Sequence, residues 1–301
     1  MLCDKPWRGE AILRLLLSLF ITSLMGSVAI AALQVFRASQ HVHLEAFCAL
    51  ATGCWLCCGG ALFILRKRLE LESFMLNLLL IMVLAYVGLV LGAFALKAAP
   101  QRVENDDAWR VVIAALSFQG AAIALTIPFT HQQGASLRDA FGLSSNWKRA
   151  ALYGVLVSIT FLPVGLGLQW ASAEIMNYFG HKAVTQAPVE ALEISRGWFD
   201  RSALAFVAIV LAPIAEETLF RGILYPAIKQ RGFPRLALWG TSLAFAAIHF
   251  NLPTFVPLLV LALALTWLYE TTDNLLAPIV AHGCFNALNF ALFFLQQSQL
   301  G

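Results

Sequence analysis

Residues 215–222 read AEETLFRG, and this stretch interrupts a long apolar run that begins near Ala203. An ionised side chain at bilayer depth costs a few kcal/mol or more, so it usually faces a cavity or a partner. In a helix, Glu217 and Arg221 stand at positions i and i+4 and can form an ion pair. Glu216 is rotated by about 100° from Glu217 and lacks such a partner. The stretch therefore predicts one restrained carboxylate and one that is available as a general base.

The composition of the chain is typical of a membrane protein. Of its 301 residues, 60% are hydrophobic and 12% are charged, and the mean hydropathy is +0.76. Soluble domains carry about 25% charged residues. The net charge is only +3, and no basic patch interleaved with aromatic residues is present, which argues against a nucleic-acid partner. The composition therefore predicts an all-α, polytopic protein in a lipid bilayer.

Nine apolar stretches predict about eight or nine membrane helices, since about 20 apolar residues can cross the hydrocarbon core. They cover residues 11–36, 46–65, 74–96, 109–129, 149–172, 202 into the acidic stretch, 236–250, 256–269 and 275–295. We interpret the first as a retained helix in preference to a cleaved signal peptide, whose apolar core is shorter. Gly88 and Gly92 in the third stretch form a GxxxG pair that predicts close helix packing.

The predicted organisation has two parts. We expect residues 1–107 to form N-terminal membrane helices and residues 108–301 to form a C-terminal helical core. The Lys and Arg bias of the loops predicts orientation. With residues 66–68 placed inside, nine crossings put 13 of the 20 Lys and Arg residues on the inside. This predicts a site that opens toward the cytoplasmic side of the plasma membrane.

Further polar side chains interrupt the last apolar stretches. Phe245 and His249 lie four residues apart where residues 236–250 end, and His282 and Asn286 share a helix face because they have the same spacing. Each histidine alone is more often a packing residue than a functional one, and an asparagine can simply join helices. The joint occurrence of a spare carboxylate, two histidines and an amide favours a functional site.

These residue types fit the hydrolysis of an acyl bond, most simply a peptide bond. A carboxylate and a histidine can hold and deprotonate a water, while a second histidine and an amide can donate hydrogen bonds to an oxyanion. Alternatively, a carboxylate and two histidines can ligate zinc and leave a position open for water. The residue types alone do not choose between the two routes.

Two other clusters are weak metal candidates. Cys54, Cys57 and Cys58 form a CxxCC string inside a membrane segment, and His41 and His43 stand in a loop. Structural zinc needs four ligands, which neither cluster supplies. We therefore expect the cysteines to behave as small hydrophobic residues.

The ordered motifs resemble those of the CPBP intramembrane protease family, also called the Abi or CAAX prenyl protease 2 (Rce1-like) family. The motifs are Glu216-Glu217-xxx-Arg221, Phe245-xxx-His249 and His282-xxx-Asn286, and the resemblance covers residues 204–290. It implies an all-helical membrane hydrolase, an intramembrane endopeptidase that is often labelled a metalloprotease. Residues 256–269 lack the glycines commonly found there in the family, so packing beside the site is expected to differ.

The resemblance also implies roles for individual residues. Glu216 and His249 would activate the water, and His282 and Asn286 would stabilise the oxyanion. If zinc is bound, the same glutamate and the two histidines would be its ligands; a metal-free, glutamate-activated water is equally consistent with the family.

The remaining motif residues, Glu217, Arg221 and Phe245, would support the site. The implied substrate is a peptide or a membrane protein, either CAAX-like and prenylated or a leader peptide. The sequence does not identify a prenyl-binding surface.

Two different functional classes stay open. A non-catalytic binding or scaffolding protein, for example one of self-immunity, would keep the same fold; the intact motif set disfavours it. A transporter would use Glu216 and His249 as a proton relay. The lack of a detectable internal repeat disfavours this second class.

Overall fold

The structure, a computed structural model, describes residues 5–37, 44–65, 74–98, 107–143, 146–180, 187–195 and 197–300. In these ranges every regular element is a helix, which confirms the all-α prediction. Two sets of residues that entered the sequence predictions lie outside the described residues: His41 with His43, and the basic residues 66–68. The division into residues 1–107 and 108–301 stays a prediction.

The described ranges contain eleven helices, numbered in chain order. They are α1 (Gly9–Arg37), α2 (Leu44–Leu65), α3 (Phe74–Ala98), α4 (from Asp107 to Gln132), α5 (Leu137–Ala140), α6 (Trp147–Tyr178), α7 (Ala187–Ile194), α8 (Trp198–Lys229), α9 (Pro234–Ala247), α10 (Leu252–Thr272) and α11 (Leu276–Leu300). Two of them contain π-helical turns, at Leu116–Gly120 in α4 and at Val207–Leu211 and Thr218–Leu224 in α8.

Seven helices of the described part are long and apolar enough to cross a membrane, namely α1, α2, α4, α6, α8, α10 and α11. A shorter apolar helix, Leu79–Ala95, lies within α3. Large apolar side chains are exposed on these helices, as at Leu56 (72%), Met82 (61%) and Trp170 (68%). Apolar surface of this extent is compatible with lipid contact and not with water. The chain is an integral, multi-pass membrane protein.

The stretch of residues 236–250, predicted as a span, forms α9 at Pro234–Ala247, which ends three residues before the predicted end. α9 has 14 residues, about 21 Å at 1.5 Å per residue, whereas the hydrocarbon core is about 30 Å thick. Phe250 has a positive φ of 47°, which is incompatible with a continuing helix. His249 therefore lies in a turn after α9. The predicted orientation counted a crossing here and stays a prediction.

The acidic stretch also differs from the expectation in its position along the helix. The sequence predicts that a basic connection begins at Gly222, directly after the acidic stretch. Instead α8 continues to Lys229, so Glu216, Glu217 and Arg221 lie in the helix interior. Their backbone is therefore hydrogen-bonded within α8 and holds their side chains in a defined relation.

Leu13–Ala122 form one compact unit with an apolar core. Its main cluster contains residues of α1, α2 and α3: Ile21, Leu24, Val28, Cys54, Cys58, Ala61, Leu65 and Ile81. A Cβ built on Gly88 would lie 3.2 Å from the Cys58 Sγ, and one on Gly92 would lie 3.2 Å from the Leu24 Cδ1. The close packing predicted from this glycine pair is confirmed, and the buried cysteines pack as small hydrophobic residues.

Met1–Ile12 and Ile123–Gly301 form the second unit. Its main apolar cluster joins α6, α10 and α11 through Ala150, Phe161, Leu261, Leu265, Leu268, Ala277 and Ala281. A Cβ on Gly283 would lie 2.7 Å from the Ile209 carbonyl oxygen, so a side chain there would push α11 away from α8. Glycine at this position allows the neighbouring His282 to reach the acidic stretch.

Candidate active site

The centre of the site is a buried ion pair within α8. Arg221 Nη1 lies 2.8 Å from Glu217 Oε1, and the two side chains are 1% and 0% exposed. This confirms the pair predicted from the i, i+4 spacing. Two groups of α10 accept further hydrogen bonds from the guanidinium. Arg221 Nη2 donates to the Ala262 carbonyl at 2.9 Å, and Nε donates to Thr266 Oγ1 at 3.4 Å. A buried guanidinium is stable only with such additional hydrogen bonds.

His282 of α11 lies against both glutamates of the acidic stretch. Its Nδ1 is 2.8 Å from Glu217 Oε1, and its Nε2 is 4.0 Å from Glu216 Oε2. Since an ionised carboxylate only accepts hydrogen bonds, Nδ1 carries a proton. The 4.0 Å separation is too long for a direct hydrogen bond, and a water can bridge it.

The two adjacent carboxylates differ in how they are engaged. Glu217 Oε1 accepts from both Arg221 and His282. Glu216 is 7% exposed, and its Oε2 has no hydrogen-bond partner among the described residues; the same holds for Glu217 Oε2. Glu217 therefore anchors the network through one oxygen, while Glu216 keeps an acceptor directed toward the His282 ring.

Phe245 of α9 lies at the centre of the aromatic contacts in the site. Its ring, fully buried, has its centroid 5.0 Å from the His249 ring, 5.7 Å from the His282 ring and 4.7 Å from the Arg221 Cζ. The His249 Nδ1 lies 2.7 Å from the Phe245 carbonyl oxygen. Because a carbonyl only accepts, this contact places the proton of neutral His249 on Nδ1 and leaves Nε2 as an acceptor.

Asn286 lies one turn after His282 on α11, and its Nδ2 donates to the Ala208 carbonyl at 2.7 Å. Ala208 belongs to the π-helical turn Val207–Leu211, where the donor would be five residues further along. That residue is Pro213, which has no N–H. Asn286 supplies the missing donor and retains a second amide hydrogen for another acceptor.

The structure brings only some of the predicted site residues into one network of direct contacts. Glu216, Glu217, Arg221, Phe245 and His282 form one contact network. His249 joins this network through the Phe245 ring, and in the described part of the chain no ion pair links it to Glu216. Asn286 contacts the backbone of α8.

The predicted zinc set, Glu216, His249 and His282, does not fit the ion in this arrangement. Zinc binds nitrogen and oxygen ligands at about 2.0–2.2 Å around one point. Within the described residues, no group of three His, Cys, Asp or Glu side chains is placed to hold a metal ion.

Two residues of α10 that hold the site, Ala262 and Thr266, were missed by the sequence analysis. Thr266 is 1% exposed and donates to the Ala262 carbonyl at 2.9 Å while it accepts from Arg221. The hydroxyl of Thr266 in the apolar stretch PLLVLALALTWLYE was a signal for its role. The backbone carbonyl of Ala262 had no such signal.

The fold and the site define a polytopic membrane protein in which a carboxylate and histidine cluster is buried among C-terminal helices. Residues 198–288 match the family model described as type II CAAX prenyl endopeptidase Rce1-like. This range includes all the predicted site residues, from Glu216 to Asn286. Residues 198–288 are therefore similar to the Rce1-like family.

Three curated relatives are similar to parts of the chain. UPF0177 protein YaiF of Lactococcus lactis subsp. lactis (strain IL1403) is 30% identical over 152 residues, which are 49% of this chain and 65% of the relative. Protein YpbD of Bacillus subtilis (strain 168), described as uncharacterized, is 36% identical over 89 residues, 28% of this chain and 42% of the relative.

UPF0177 protein YxdF of the same Lactococcus strain is 26% identical over 82 residues, 27% of this chain and 45% of the relative. The matched regions thus span less than two thirds of the length of each relative. No solved structure matches the chain significantly.

Proposed function

We propose that the chain is an intramembrane endopeptidase that hydrolyses a peptide bond with a water activated by Glu216 and His249. The observation that carries the proposal is the difference between the adjacent glutamates. Glu217 is held by Arg221 and His282, while the buried Glu216 Oε2 has no hydrogen bond among the described residues. The Rce1-like match, which includes every residue named here, supports the same reaction class.

In the proposed reaction, Glu216 accepts a proton from the water while the water oxygen attacks the carbonyl carbon of the substrate. His249 orients the water through its unprotonated Nε2. The tetrahedral intermediate then collapses, the carbon–nitrogen bond breaks, and Glu216 returns the proton to the leaving amine. The products are a carboxylic acid and an amine, so one water is consumed and Glu216 is regenerated.

The oxyanion of the intermediate is proposed to receive hydrogen bonds from His282 Nε2 and from the second amide hydrogen of Asn286. Because Nδ1 of His282 already donates to Glu217, donation from Nε2 requires the imidazolium form. Glu216 and Glu217 supply the negative charge that balances this cation. Because Asn286 is half-buried and hydrogen-bonded to α8, its side chain loses little conformational freedom when the oxyanion forms.

The substrate class in this proposal is a peptide or a membrane-protein segment, and the site opens to the cytoplasmic side of the plasma membrane. The family description names a prenyl endopeptidase, so a prenylated C-terminal peptide is the first probe. The same peptide without its prenyl group is the second. The two probes separate a lipid-dependent substrate preference from general peptidase activity.

The test compares purified wild-type protein in liposomes with Glu216→Ala, using both peptides and mass spectrometry of the products. We expect the wild type to cleave at one bond and the variant to lose at least about 10²-fold in kcat, as for loss of a general base. Equal cleavage by both proteins would refute the role of Glu216. Peptide binding without cleavage by the wild type would support the scaffolding alternative.

A further inference from the structure

The indole of Trp7 hydrogen-bonds to a backbone carbonyl of α8. Gly222 lies in the π-helical turn Thr218–Leu224, where carbonyls accept from the N–H five residues further along. Pro226 follows Gly222 by four residues and has no N–H, so it offers this carbonyl no donor in the α-helical register. The Trp7 Nε1–H donates to the Gly222 oxygen at 2.9 Å. A residue ahead of the first helix therefore satisfies a backbone group of α8.

A related contact occurs at the other π-helical turn of α8. There Pro213 removes the donor of the Ala208 carbonyl, and Asn286 supplies one from α11. Asn286 is one of the site residues predicted from the motifs. In each case a side chain from another element donates to a carbonyl within a π-helical turn of α8. The Trp7 contact is thus the counterpart, at one side of the acidic stretch, of the Asn286 contact at the other.

The surroundings of Trp7 restrict its position. The side chain is 7% exposed, and its ring centroid lies 5.0 Å from that of Phe129 and 6.1 Å from that of Phe141. A Cβ on Gly222 would lie 2.7 Å from the Phe141 Cε1, so only glycine lets the aromatic rings approach α8 this closely. Packing therefore restricts the position of the indole independently of its hydrogen bond.

The capped carbonyl is directly connected to the site. Arg221 immediately precedes Gly222 within the π-helical turn Thr218–Leu224. Its guanidinium has to reach Glu217 and the Ala262 carbonyl at the same time. A peptide group that loses its donor rotates toward another one, and the Arg221 backbone moves with it. Since Glu217 also receives His282, such a movement changes the distance between His282 and Glu216.

We propose that Trp7 is a positioning residue of the site. Its hydrogen bond to Gly222 holds the turn of α8 that aligns Arg221, and through Arg221 the Glu217–His282 pair, with Glu216. The inference rests on the proposed peptidase function of that site. Trp7 lies outside residues 198–288, so the alignment of the site depends on a segment that the family model does not cover.

The test uses three substitutions. Trp7→Phe removes the N–H and keeps an aromatic ring between Phe129 and Phe141. Pro226→Ala, combined with it, provides an N–H four residues after Gly222, which can donate to this carbonyl in the α-helical register. Trp170→Phe is the matched control, since Trp170 is 68% exposed on α6. For each protein, kcat and KM are measured with the cleaved peptide, and the thermal unfolding midpoint is measured in the same detergent.

We expect Trp7→Phe to lower kcat about tenfold, equivalent to about 1.4 kcal/mol, with KM within about twofold of the wild type. The double variant is expected to recover most of the lost kcat, and Trp170→Phe to behave like the wild type. A purely structural role of Trp7 would lower the unfolding midpoint and leave kcat per folded molecule unchanged. Recovery by Pro226→Ala distinguishes loss of the hydrogen bond from loss of packing.

Two results would overturn the inference: a wild-type kcat in Trp7→Phe, or equal impairment of the single and the double variant. Either result leaves the proposed function intact if the wild type cleaves the peptide. If the wild type itself cleaves nothing, the proposed function fails. In that case the positioning role fails with it, and the unfolding midpoints decide separately whether Pro226→Ala compensates for the lost cap.

Discussion

Both compact units bury an arginine, but the two arginines serve different purposes. In the unit Leu13–Ala122, Arg14 of α1 is 6% exposed, and its Nη1 lies 3.5 Å from the carbonyl of Leu65 in α2. Arg221 of the other unit lies inside α8 and is bonded to a carboxylate.

This difference shows which buried charges indicate a site. Arg14 of α1 approaches a backbone carbonyl of α2, and the core beside it is apolar, from Ile21 to Ile81. Arg221 instead holds Glu217, which in turn holds His282. A buried cation joined to a carboxylate and a histidine therefore marks the unit that carries the proposed chemistry.

The largest expected effect comes from breaking the interior ion pair. Glu217→Gln leaves the fully buried Arg221 without its charge partner, which costs about 3–5 kcal/mol in other buried pairs. Arg221→Met leaves the carboxylate to His282 alone and should destabilise the protein similarly. We expect the double variant to be more stable than either single variant. Unfolding in mixed detergent followed by circular dichroism measures all three.

Arg14→Met is the matched control for this experiment. It removes a buried cation that approaches a backbone carbonyl and lies outside the Glu217–His282 network. Its expected cost is smaller, about 1.5–3 kcal/mol, the range of a hydrogen bond made by a charged group. If Arg14→Met destabilised the protein as much as Arg221→Met, the distinction between the two arginines would be wrong.

The two histidines of the site should respond differently to removal. His249→Ala is expected to lower kcat about 10²-fold with little change in stability, because His249 lies half-buried in a turn. His282→Ala should lower kcat to a similar extent and also destabilise the fold, since Glu217 Oε1 loses a donor. Peptide cleavage and unfolding midpoints, measured on both variants, check the two effects.

His131→Ala is the matched control for this pair, because His131 is exposed near the end of α4. We expect it to change neither kcat nor stability. Unchanged stability of His282→Ala would contradict the role of its bond to Glu217. Normal cleavage by His249→Ala would remove this residue from the proposed reaction.

In the apolar unit, the expected effects come from packing. Gly92→Leu places a side chain where a Cβ alone would lie 3.2–3.4 Å from Leu24, Cys54 and Val28. Overpacking of this kind costs about 1–3 kcal/mol. Gly59→Leu is its matched control on α2, since nothing lies within 4 Å of a Cβ there. Equal stability of the two variants would refute the close packing derived from the GxxxG pair.

Spacing within single helices was predictable from the sequence. The Glu217–Arg221 pair and the shared face of His282 and Asn286 follow from 3.6 residues per turn. The apolar composition likewise predicted the all-α membrane fold. These features depend only on local periodicity and hydropathy, which the sequence contains directly.

Contacts between helices were not predictable in the same way. The sequence did not indicate that His282 binds Glu217, or that Asn286 binds the Ala208 carbonyl, because neither distance follows from spacing along the chain. The end of α9 was predicted three residues too late because hydropathy continues through residues 248–250, whereas the backbone turns at Phe250. The positions of backbone hydrogen bonds and of turns cannot be predicted from amino-acid composition and hydropathy.

The smallest expected effect is that of removing metal ions. The two units differ in the chemical groups that could bind such an ion. Leu13–Ala122 contain the thiols Cys54 and Cys58, buried in an apolar core, and the other unit contains carboxylates and imidazoles. In neither set of described residues are three such groups arranged around one point. The proposed reaction uses Glu216 as the base, and we expect phenanthroline to leave kcat within about twofold of its untreated value.

Glu216→Ala, treated in parallel, shows whether any residual cleavage depends on a metal. A loss of wild-type activity that added zinc restores would contradict the metal-free reaction. In that outcome His249 has to move toward Glu216 and His282 to complete a ligand set, because zinc holds its ligands at about 2.0–2.2 Å. The variant His249→Ala would then bind zinc more weakly than the wild type, which equilibrium dialysis measures without reference to activity. Unchanged zinc binding in that variant would exclude His249 from the ligand set and direct the search to other donors.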